Sequence, residues 1–331
     1  VQNGNIHLLP KQNAEGIEGI AEDILAHEGS LKIGRMNAAR NIATRMQAAA
    51  AAGNIIEHKN IWLQAYMGKA KQCQDQNISG FSACQHGFIL GFDGEFSPQT
   101  IIGLAFMHNR DNIKHNNGSK NIANSNIFSL YGKQLLTHKL AINSQLNWGF
   151  SNFKIRRPFA NQSINTETNG RIFSLNSNLK YKHAITTNLM FIPKIGIEYE
   201  TIFLAGFNEY MANGSFLDHV DDKAMYKLSS HIGAALQAQK RLNNKLLVIP
   251  EIHYYFDYAF DSKRGATKIF SAHNLTPINI DKINKDKKII IIGGSLHIYL
   301  SKRFELKFGY DFARKKKFFS NNGYMKLYVN L

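Results

Sequence analysis

The stretch that decides the fold of this chain is LLVIPEIHYYFDYAF, residues 246–260. Its residues alternate in polarity: Val248 and Ile252 fall on one face of an extended chain, whereas Glu251 and Asp257 fall on the other. Alternation with a period of two residues indicates a β-strand with one apolar and one polar face. The stretch is longer than the roughly five or six residues common in soluble strands, and it suits a tilted strand that crosses a bilayer.

The same alternation recurs from about residue 60 to the end of the chain. Further apolar faces are carried by these sets of alternating residues: Leu140, Ile142, Leu146, Trp148 and Phe150; Phe173, Leu175, Leu179 and Tyr181; Phe191, Ile195, Ile197 and Tyr199; Leu228, Ile232 and Leu236; Phe304, Leu306, Phe308, Tyr310 and Phe312. The facing is ambiguous over residues 72–131, where Ile101 and Ile102 allow either parity. Counting strands between the turn signals gives about twelve, an even number as a closed antiparallel barrel requires.

The connections between these strands alternate in length. Tight connections are predicted near residues 94–99, 137–139, 182–187, 241–245 and 301–303. Longer polar stretches lie between them at residues 109–126, 156–170, 206–222 and 260–287. An outer-membrane barrel has short periplasmic turns and long outer loops, whereas a soluble sandwich has no reason to alternate. The sequence therefore predicts an all-β transmembrane fold, an antiparallel outer-membrane β-barrel of about 12 strands that occupies residues 54–331.

Composition limits the partners of the chain. The net charge of +16 implies anionic partners, of which nucleic acid and lipid phosphate are the usual candidates. The sequence contains no zinc-finger spacing, RNP-like motif or P-loop, so we expect no nucleic acid. Lipopolysaccharide or other outer-membrane lipids remain, beside the alternative of a merely solvated charged surface. The longest apolar run, residues 288–300, is too short and interrupted for a spanning helix.

Residues 1–53 carry a different pattern, with Ile17, Ile20 and Ile24 at helical spacing. We expect a helix here, broken near Gly29, with Gly53 as its C-cap. Its polar residues include the cations Lys32, Arg35, Arg40 and Arg45. The polar faces of the strands carry the acids Glu198, Glu200, Glu251, Asp257, Glu305 and Asp311. These charges are complementary, so the helix is expected to thread the lumen and plug the pore; the alternative is an amphipathic helix packed on another surface.

Three segments near the start of the barrel resemble a known family. They are Trp62-Leu63-Gln64-Ala65-Tyr66, then Gly87-Phe88-Ile89-Leu90-Gly91-Phe92-Asp93-Gly94-Glu95, then Ile102-Gly103-Leu104-Ala105-Phe106. Together they are similar to the first three strands of the autotransporter translocator domain of type V secretion. The richness in Asn, Lys and Ile further resembles the surface-antigen autotransporters of obligate intracellular bacteria.

The resemblance implies a location and a set of partners. It places the chain in the bacterial outer membrane as a monomer that anchors and helps export its own upstream passenger domain. The start of the chain has neither an initiating Met nor a signal sequence, so we expect a piece of a longer precursor. Periplasmic chaperones and the outer-membrane barrel assembly machinery would recognise the last strand. There, Met325, Leu327, Val329 and Leu331 alternate as such an insertion signal does, although the terminal residue is Leu instead of Phe or Trp.

Alternative functions are an open porin or a barrel enzyme, either a protease or a phospholipase. His219 with Asp218, Asp221 and Asp222 is the one cluster that suggests catalysis or metal binding. Such loop clusters are commonly just solvated, so we expect no enzyme activity, no metal and no cofactor.

Two smaller features have open interpretations. Cys73 and Cys84 flank the first outer loop, where an oxidising periplasm could join them as a disulfide if strand pairing brings them opposite each other. Glycines on the inner face would leave room for a threaded chain, or would serve strand curvature; they are Gly87, Gly91, Gly149, Gly196, Gly233 and Gly309.

Overall fold

The structure is a computed structural model that describes most of the chain from residue 59 to residue 331. It describes residues 59–74, 80–159, 162–211, 213–242, 246–264, 267–271, 274–280, 287–301 and 303–331. The predicted pore helix, with Lys32, Arg35, Arg40 and Arg45, lies outside these residues. No helix among the described residues is long and apolar enough to cross a membrane.

The described residues form β-strands throughout. In chain order these are β1 (Asn60–Gln72), β2 (Phe81–Ser97), β3 (Thr100–His115), β4 (Lys120–Leu135), β5 (Leu140–Phe159), β6 (Gln162–Tyr181), β7 (His183–Thr186), β8 (Leu189–Leu204), β9 (Phe207–Tyr210), β10 (Phe216–Val220), β11 (Lys223–Ala238), β12 (Lys240–Arg241), β13 (Leu247–Arg264), β14 (Thr267–Ser271), β15 (Asn274–Ile280), β16 (Lys288–Tyr299), β17 (Phe304–Lys315) and β18 (Phe318–Asn330).

Twelve of these strands close into an antiparallel barrel. Their order is β1-β2-β3-β4-β5-β6-β8-β11-β13-β16-β17-β18, and β18 pairs with β1 to complete the circle. The strands β7 and β12 are short extensions that pair with β8 and β13. The predicted strand number and antiparallel closure are therefore confirmed.

The registers fix the size of the barrel. We start at Trp62 and step from each residue to its partner on the next strand around the barrel. In the direction of β2 these steps lead to Lys227 on β11. Following them through β18 leads to Arg241 instead, a stagger of 14 residues between positions 227 and 241. Twelve strands with this stagger tilt by about 39° and form a cylinder of backbone radius about 12 Å. One layer of inward side chains about 5 Å deep leaves a bore of about 14 Å.

The two faces of each strand differ as the alternation predicts. On β13, Ile252 is 65% exposed on the outer wall, whereas Glu251 is only 4% exposed on the inner wall. Leu104 of β3 is 61% exposed, and its neighbour Gly103 is buried on the inner side, which resolves the ambiguous parity of that segment. Such a continuous apolar outer wall needs lipid around it.

Two of the predicted long loops are wrong. Residues 109–126 and 156–170 are mostly strand, because β3 and β4 meet at a tight turn around Gly118 and because β5 and β6 extend to residues 159 and 162. These outer parts of the strands have polar residues on both faces, so the apolar alternation that identifies a strand disappears there. At the other end of the barrel, the described tight connections at residues 98–99, 136–139 and 187–188 lie where the sequence predicts them.

The remaining two outer loops form a second sheet. Strands β9 and β10 come from the loop between β8 and β11, and β14 and β15 follow β13. They pair in the order β15-β14-β10-β9, an antiparallel sheet of four strands that we call the outer sheet. Strands this short have no readable period in the sequence, so they are predicted there only as loops.

Candidate functional site: the barrel lumen

The first and last strands meet along the whole seam of the barrel. Asn60 is opposite Asn330, and Gln72 is opposite Phe318. At the end with the short turns, the backbone N–H of Leu331 donates to the carbonyl of Lys59 at 2.9 Å. Both ends of the barrel domain therefore lie at the same rim, the periplasmic one if the longer loops are outside.

A buried cluster of polar and aromatic side chains lines the lumen near that rim. The indole Nε1 of Trp62 donates to Asp93 Oδ2 at 3.1 Å and to the Tyr131 hydroxyl at 2.8 Å. The Tyr131 hydroxyl donates to the same carboxylate oxygen at 2.7 Å, and Asn60 donates to Asp93 Oδ1 at 3.0 Å. Lys326 places its Nζ 3.4 Å from the centroid of the Trp62 ring. This Trp62 cluster joins β1, β2, β4 and β18.

Gly91 of β2 leaves the space that the Trp62 ring occupies in this cluster. Gly91 is opposite Trp62, and a Cβ on Gly91 would lie 2.2 Å from the indole ring. Inner-face glycines elsewhere also lie under aromatic rings of adjacent strands, in the pairs Gly87 with Tyr66, Gly233 with Tyr255 and Gly309 with Tyr324. The space at these glycines is therefore filled by neighbouring side chains, and not kept open for a threaded chain.

The opposite side of the lumen carries histidine–carboxylate pairs. His231 Nδ1 lies 2.9 Å from Asp257 Oδ1, and its Nε2 lies 3.5 Å from Glu198 Oε2. His297 Nε2 lies 3.1 Å from Glu305 Oε2. These residues lie on β8, β11, β13, β16 and β17, so the histidine–carboxylate pairs share that half of the wall.

A third histidine–carboxylate pair joins two strands that are separated by a strand with a glycine. His253 Nε2 lies 2.8 Å from Asp311 Oδ1, and Nδ1 lies 3.3 Å from Glu251 Oε1. The strand between them, β16, carries Gly293 at this level, where a Cβ would lie 2.4 Å from the imidazole. Only glycine leaves room there for a bond between strands that are not neighbours.

The part of the lumen formed by β4, β5 and β6 carries hydrogen-bonded Ser and Asn side chains beside the buried lysines Lys133 and Lys180. Ser129 donates to Asn147 at 2.5 Å, and Asn147 donates to Ser174 at 2.9 Å. Ser125 and Ser151 are bonded at 2.7 Å. Such bonds between side chains of adjacent strands satisfy buried polar groups that face no apolar core.

All six acids predicted for the lumen lie on the inner wall, and each is less than a tenth exposed: Glu198, Glu200, Glu251, Asp257, Glu305 and Asp311. From the sequence alone, these acids are predicted to pair with the basic residues of the helix, and pairing with histidines is not predicted. A usable signal was present, because His253 has the same parity as Glu251 and Asp257 on β13, and His231 has the parity opposite to the apolar Ile232 and Leu236 on β11.

The acidic loop cluster has a structural role at the outer end. The Arg157 guanidinium of β5 donates from Nε to Glu209 Oε1 and Oε2 at 3.0 and 3.1 Å, and its second nitrogen also contacts Glu209. The same group lies 3.4 Å from Asp218 Oδ2. All three side chains are buried and tie the outer sheet to the barrel. His219 bonds to Asn208 at 2.5 Å, and within the part of the chain that the structure describes no group of ligands could hold a metal.

The end of the chain has the alternation expected of an insertion signal. Met325 and Leu327 are exposed on the outer wall, whereas Tyr324 and Tyr328 are buried on the lumen side. Val329 follows the outer parity, and Leu331 is 62% exposed just beyond β18.

The strand register argues against the disulfide. Cys84 is opposite Lys69, four residues before Cys73, which corresponds to about 13 Å along the strand. A disulfide needs Cα atoms within about 7 Å. Both cysteines are free and exposed, so the condition set for the bond, that pairing brings them opposite each other, is not met.

Comparison with known proteins identifies the barrel. The profile of the autotransporter beta-domain family matches residues 61–311. The chain belongs to this family. The autotransporter beta-domain is an outer-membrane barrel, so the soluble sandwich is excluded, and the chain is the translocator unit that serves a passenger domain at the bacterial outer membrane.

Individual relatives agree with the autotransporter assignment. Outer membrane protein A of Rickettsia rickettsii is 23% identical over 353 residues, covering 98% of this chain but 16% of that protein. Putative surface cell antigen sca2 of Rickettsia felis is 25% identical, with 83% of this chain and 17% of that protein covered. The chain thus spans about a sixth of the curated relatives that it matches. The translocator domain of the autotransporter NalP from Neisseria meningitidis shares the fold, with a TM-score of 0.68 at 11% identity over 90% of this chain and 98% of that one.

Proposed function

We propose that residues 54–331 anchor an upstream passenger domain and that residues 1–53 supply a passenger-proximal linker and the helix that threads the lumen. The observation that carries this proposal is the match between bore and helix. A bore of about 14 Å accepts one helix, whose diameter with side chains is about 10–12 Å, and excludes a second. The start of β1 at the periplasmic rim supports it as well, because a helix that ends there can run up the lumen directly.

The charges of the lumen give the helix a preferred side. The six acids predicted from the sequence lie on β8, β13 and β17, so the cations Lys32, Arg35, Arg40 and Arg45 would face that half of the wall. Since the histidines already contact five of the six acids, the helix cations add to these pairs or replace the histidines. Arginine suits this role because its guanidinium bonds two carboxylate oxygens at once.

The remaining partners follow from the same assignment. The alternating residues of β18 supply the surface that the barrel assembly machinery and periplasmic chaperones would recognise. Lipid surrounds the apolar outer wall, and the barrel is a monomer. A translocator of this kind works by holding a path and then closing it with a helix, so it needs no catalytic residue, and neither an open porin nor a protease or phospholipase function is required.

A reporter assay tests passenger export. A small folding-tolerant reporter fused before Val1 becomes accessible to added protease on intact cells if the chain displays its upstream segment. A reporter that stays protected, although the barrel itself is assembled, would contradict the proposal. The matched control places the same reporter in the short turn between β4 and β5, at residues 136–139 of the periplasmic rim, where it remains protected.

A further inference from the structure

The outer end of the barrel carries a row of exposed cations on its outward face. Lys71 of β1, Lys114 of β3, Lys120 of β4 and Arg156 of β5 follow one another in register, with Ser82 of β2 between the first two. All four side chains are exposed on the outer wall. We call this row the basic rim.

The basic rim places like charges directly against each other. Lys114 is opposite Lys120, and Lys120 is opposite Arg156, with Cα atoms about 5 Å apart. Like charges in this position destabilise a sheet. The described acid beside them, Glu167, is 2.8 Å from Lys154 and is therefore committed to another cation. Among the described residues no acid forms an ion pair with the rim, so an external anion would relieve the repulsion.

The position of the basic rim identifies that anion. Along β1 the outward residues are Ile61, Leu63 and Met67, and then Lys69 and Lys71. With a strand tilt of about 39°, Lys71 stands about 10 Å above Met67 along the barrel axis. This is the height of lipid headgroups, since these add about 5–7 Å on each side of the hydrocarbon core and a lysine side chain bridges the rest.

The wall beneath the basic rim fits acyl chains. A groove of about 520 Å³ runs across β2–β5 between two rows of apolar side chains, one of which contains Leu90, Phe106, Phe128 and Trp148. Its floor is backbone, because the residues between the rows face the lumen. Phe128 lies eight residues below Lys120 on β4, about 21 Å along the axis, which is within the reach of a lipid that has its headgroup at the rim.

We propose that the basic rim binds the phosphate groups of a lipid of the outer leaflet whose acyl chains lie against this wall. The proposal rests on the outer-membrane location and not on passenger export. Lysine and arginine next to a membrane surface each contribute to the binding of anionic lipid, and the contribution falls with salt.

Lipid binding by the refolded full chain tests the proposal. The rim variant combines K71Q, K114Q, K120Q and R156Q. The matched control combines K139Q, K240Q, R241Q and R303Q, which removes the same charge from exposed residues at the periplasmic turns. Native mass spectrometry in neutral detergent measures the affinity for lipid A, phosphatidylglycerol, phosphatidylcholine and inorganic phosphate. Heat-modifiable migration on gels shows whether each variant is folded. If the fourfold rim variant does not fold, the double variant K114Q and K120Q replaces it in the assay.

We expect the wild-type chain to prefer the two phosphate-bearing anionic lipids to phosphatidylcholine, with lipid A bound most tightly. The rim variant should bind lipid A at least about tenfold more weakly, whereas the control stays within about twofold. Equal affinity of the rim variant and the wild type would overturn the proposal. If the control variant loses as much affinity for lipid A as the rim variant does, the effect is one of net charge alone and the proposal is also overturned. The same holds if inorganic phosphate displaces lipid A as well as a second lipid does, because the rim then binds any anion.

Discussion

Replacing Asp93 by Ala should destabilise the barrel by removing the acceptor at the centre of the Trp62 cluster. Asp93 is 1% exposed and accepts from Asn60, Trp62 and Tyr131. Trp62 keeps its bond to the Tyr131 hydroxyl in the variant. Two donors, the Asn60 amide and the Tyr131 hydroxyl, are left without this acceptor.

The cost follows from the loss of the hydrogen bonds that these two buried donors make to Asp93. Each such loss costs about 1–3 kcal/mol, so D93A should lower the free energy of unfolding by about 2–6 kcal/mol. The assay is urea unfolding of the refolded chain in lipid vesicles, followed by heat-modifiable gel migration. The matched control is D222A, the same change at an exposed residue, which should stay within about 0.5 kcal/mol. A D93A barrel as stable as D222A would refute the role given to this carboxylate.

Three further substitutions test other contacts. G91A brings a Cβ within 2.2 Å of the Trp62 ring and should cost about 1–3 kcal/mol in the same assay, whereas G94A, with its nearest atom at 3.7 Å, should not; equal stability would disprove the close fit. R157A removes the buried cation that contacts Glu209 and Asp218, which should cost about 3–5 kcal/mol and make the outer sheet sensitive to protease, whereas R156A should not; identical digestion of the two variants would contradict the ion pair. L331K should impair insertion in cells and L331F should not; full assembly of L331K would remove Leu331 from the insertion signal.

The sequence predicts the barrel itself well, for a physical reason. Water or polar groups on one side and lipid on the other impose a strict alternation, so Glu251 and Ile252 report their faces without any alignment. The alternation fails where both faces are wet, which is why the outer halves of β5 and β6 are predicted as loop. It also fails for strands of four or five residues such as β9 and β10.

The contacts in the lumen are less predictable, because they depend on register. Trp62 and Asp93 are visible as motif residues, but nothing in their spacing predicts that Tyr131, 69 residues after Trp62, completes the cluster. In the same way, the bond between His253 and Asp311 depends on Gly293 of a third strand. A single residue of slip in either strand would point these side chains at lipid.

The histidines show a second limit of predicting contacts from a sequence pattern. Opposite charges on a helix and on strands suggest pairing across the lumen, and that pairing stays a prediction. The acids also have partners on other strands, and the register of β11 against β13 places His231 directly opposite Asp257.

The most direct test of the plugged translocator is the conductance of the refolded chain in a planar bilayer, with and without residues 1–53. We expect low conductance for the full chain and a large rise on deletion, because a bore of about 14 Å is open to ions once the helix is gone. Replacing Arg35, Arg40 and Arg45 together by Ala should give a partial rise, since the helix would lose its hold on the lumen acids. High conductance that is the same with and without residues 1–53 would contradict the plug and favour an open pore.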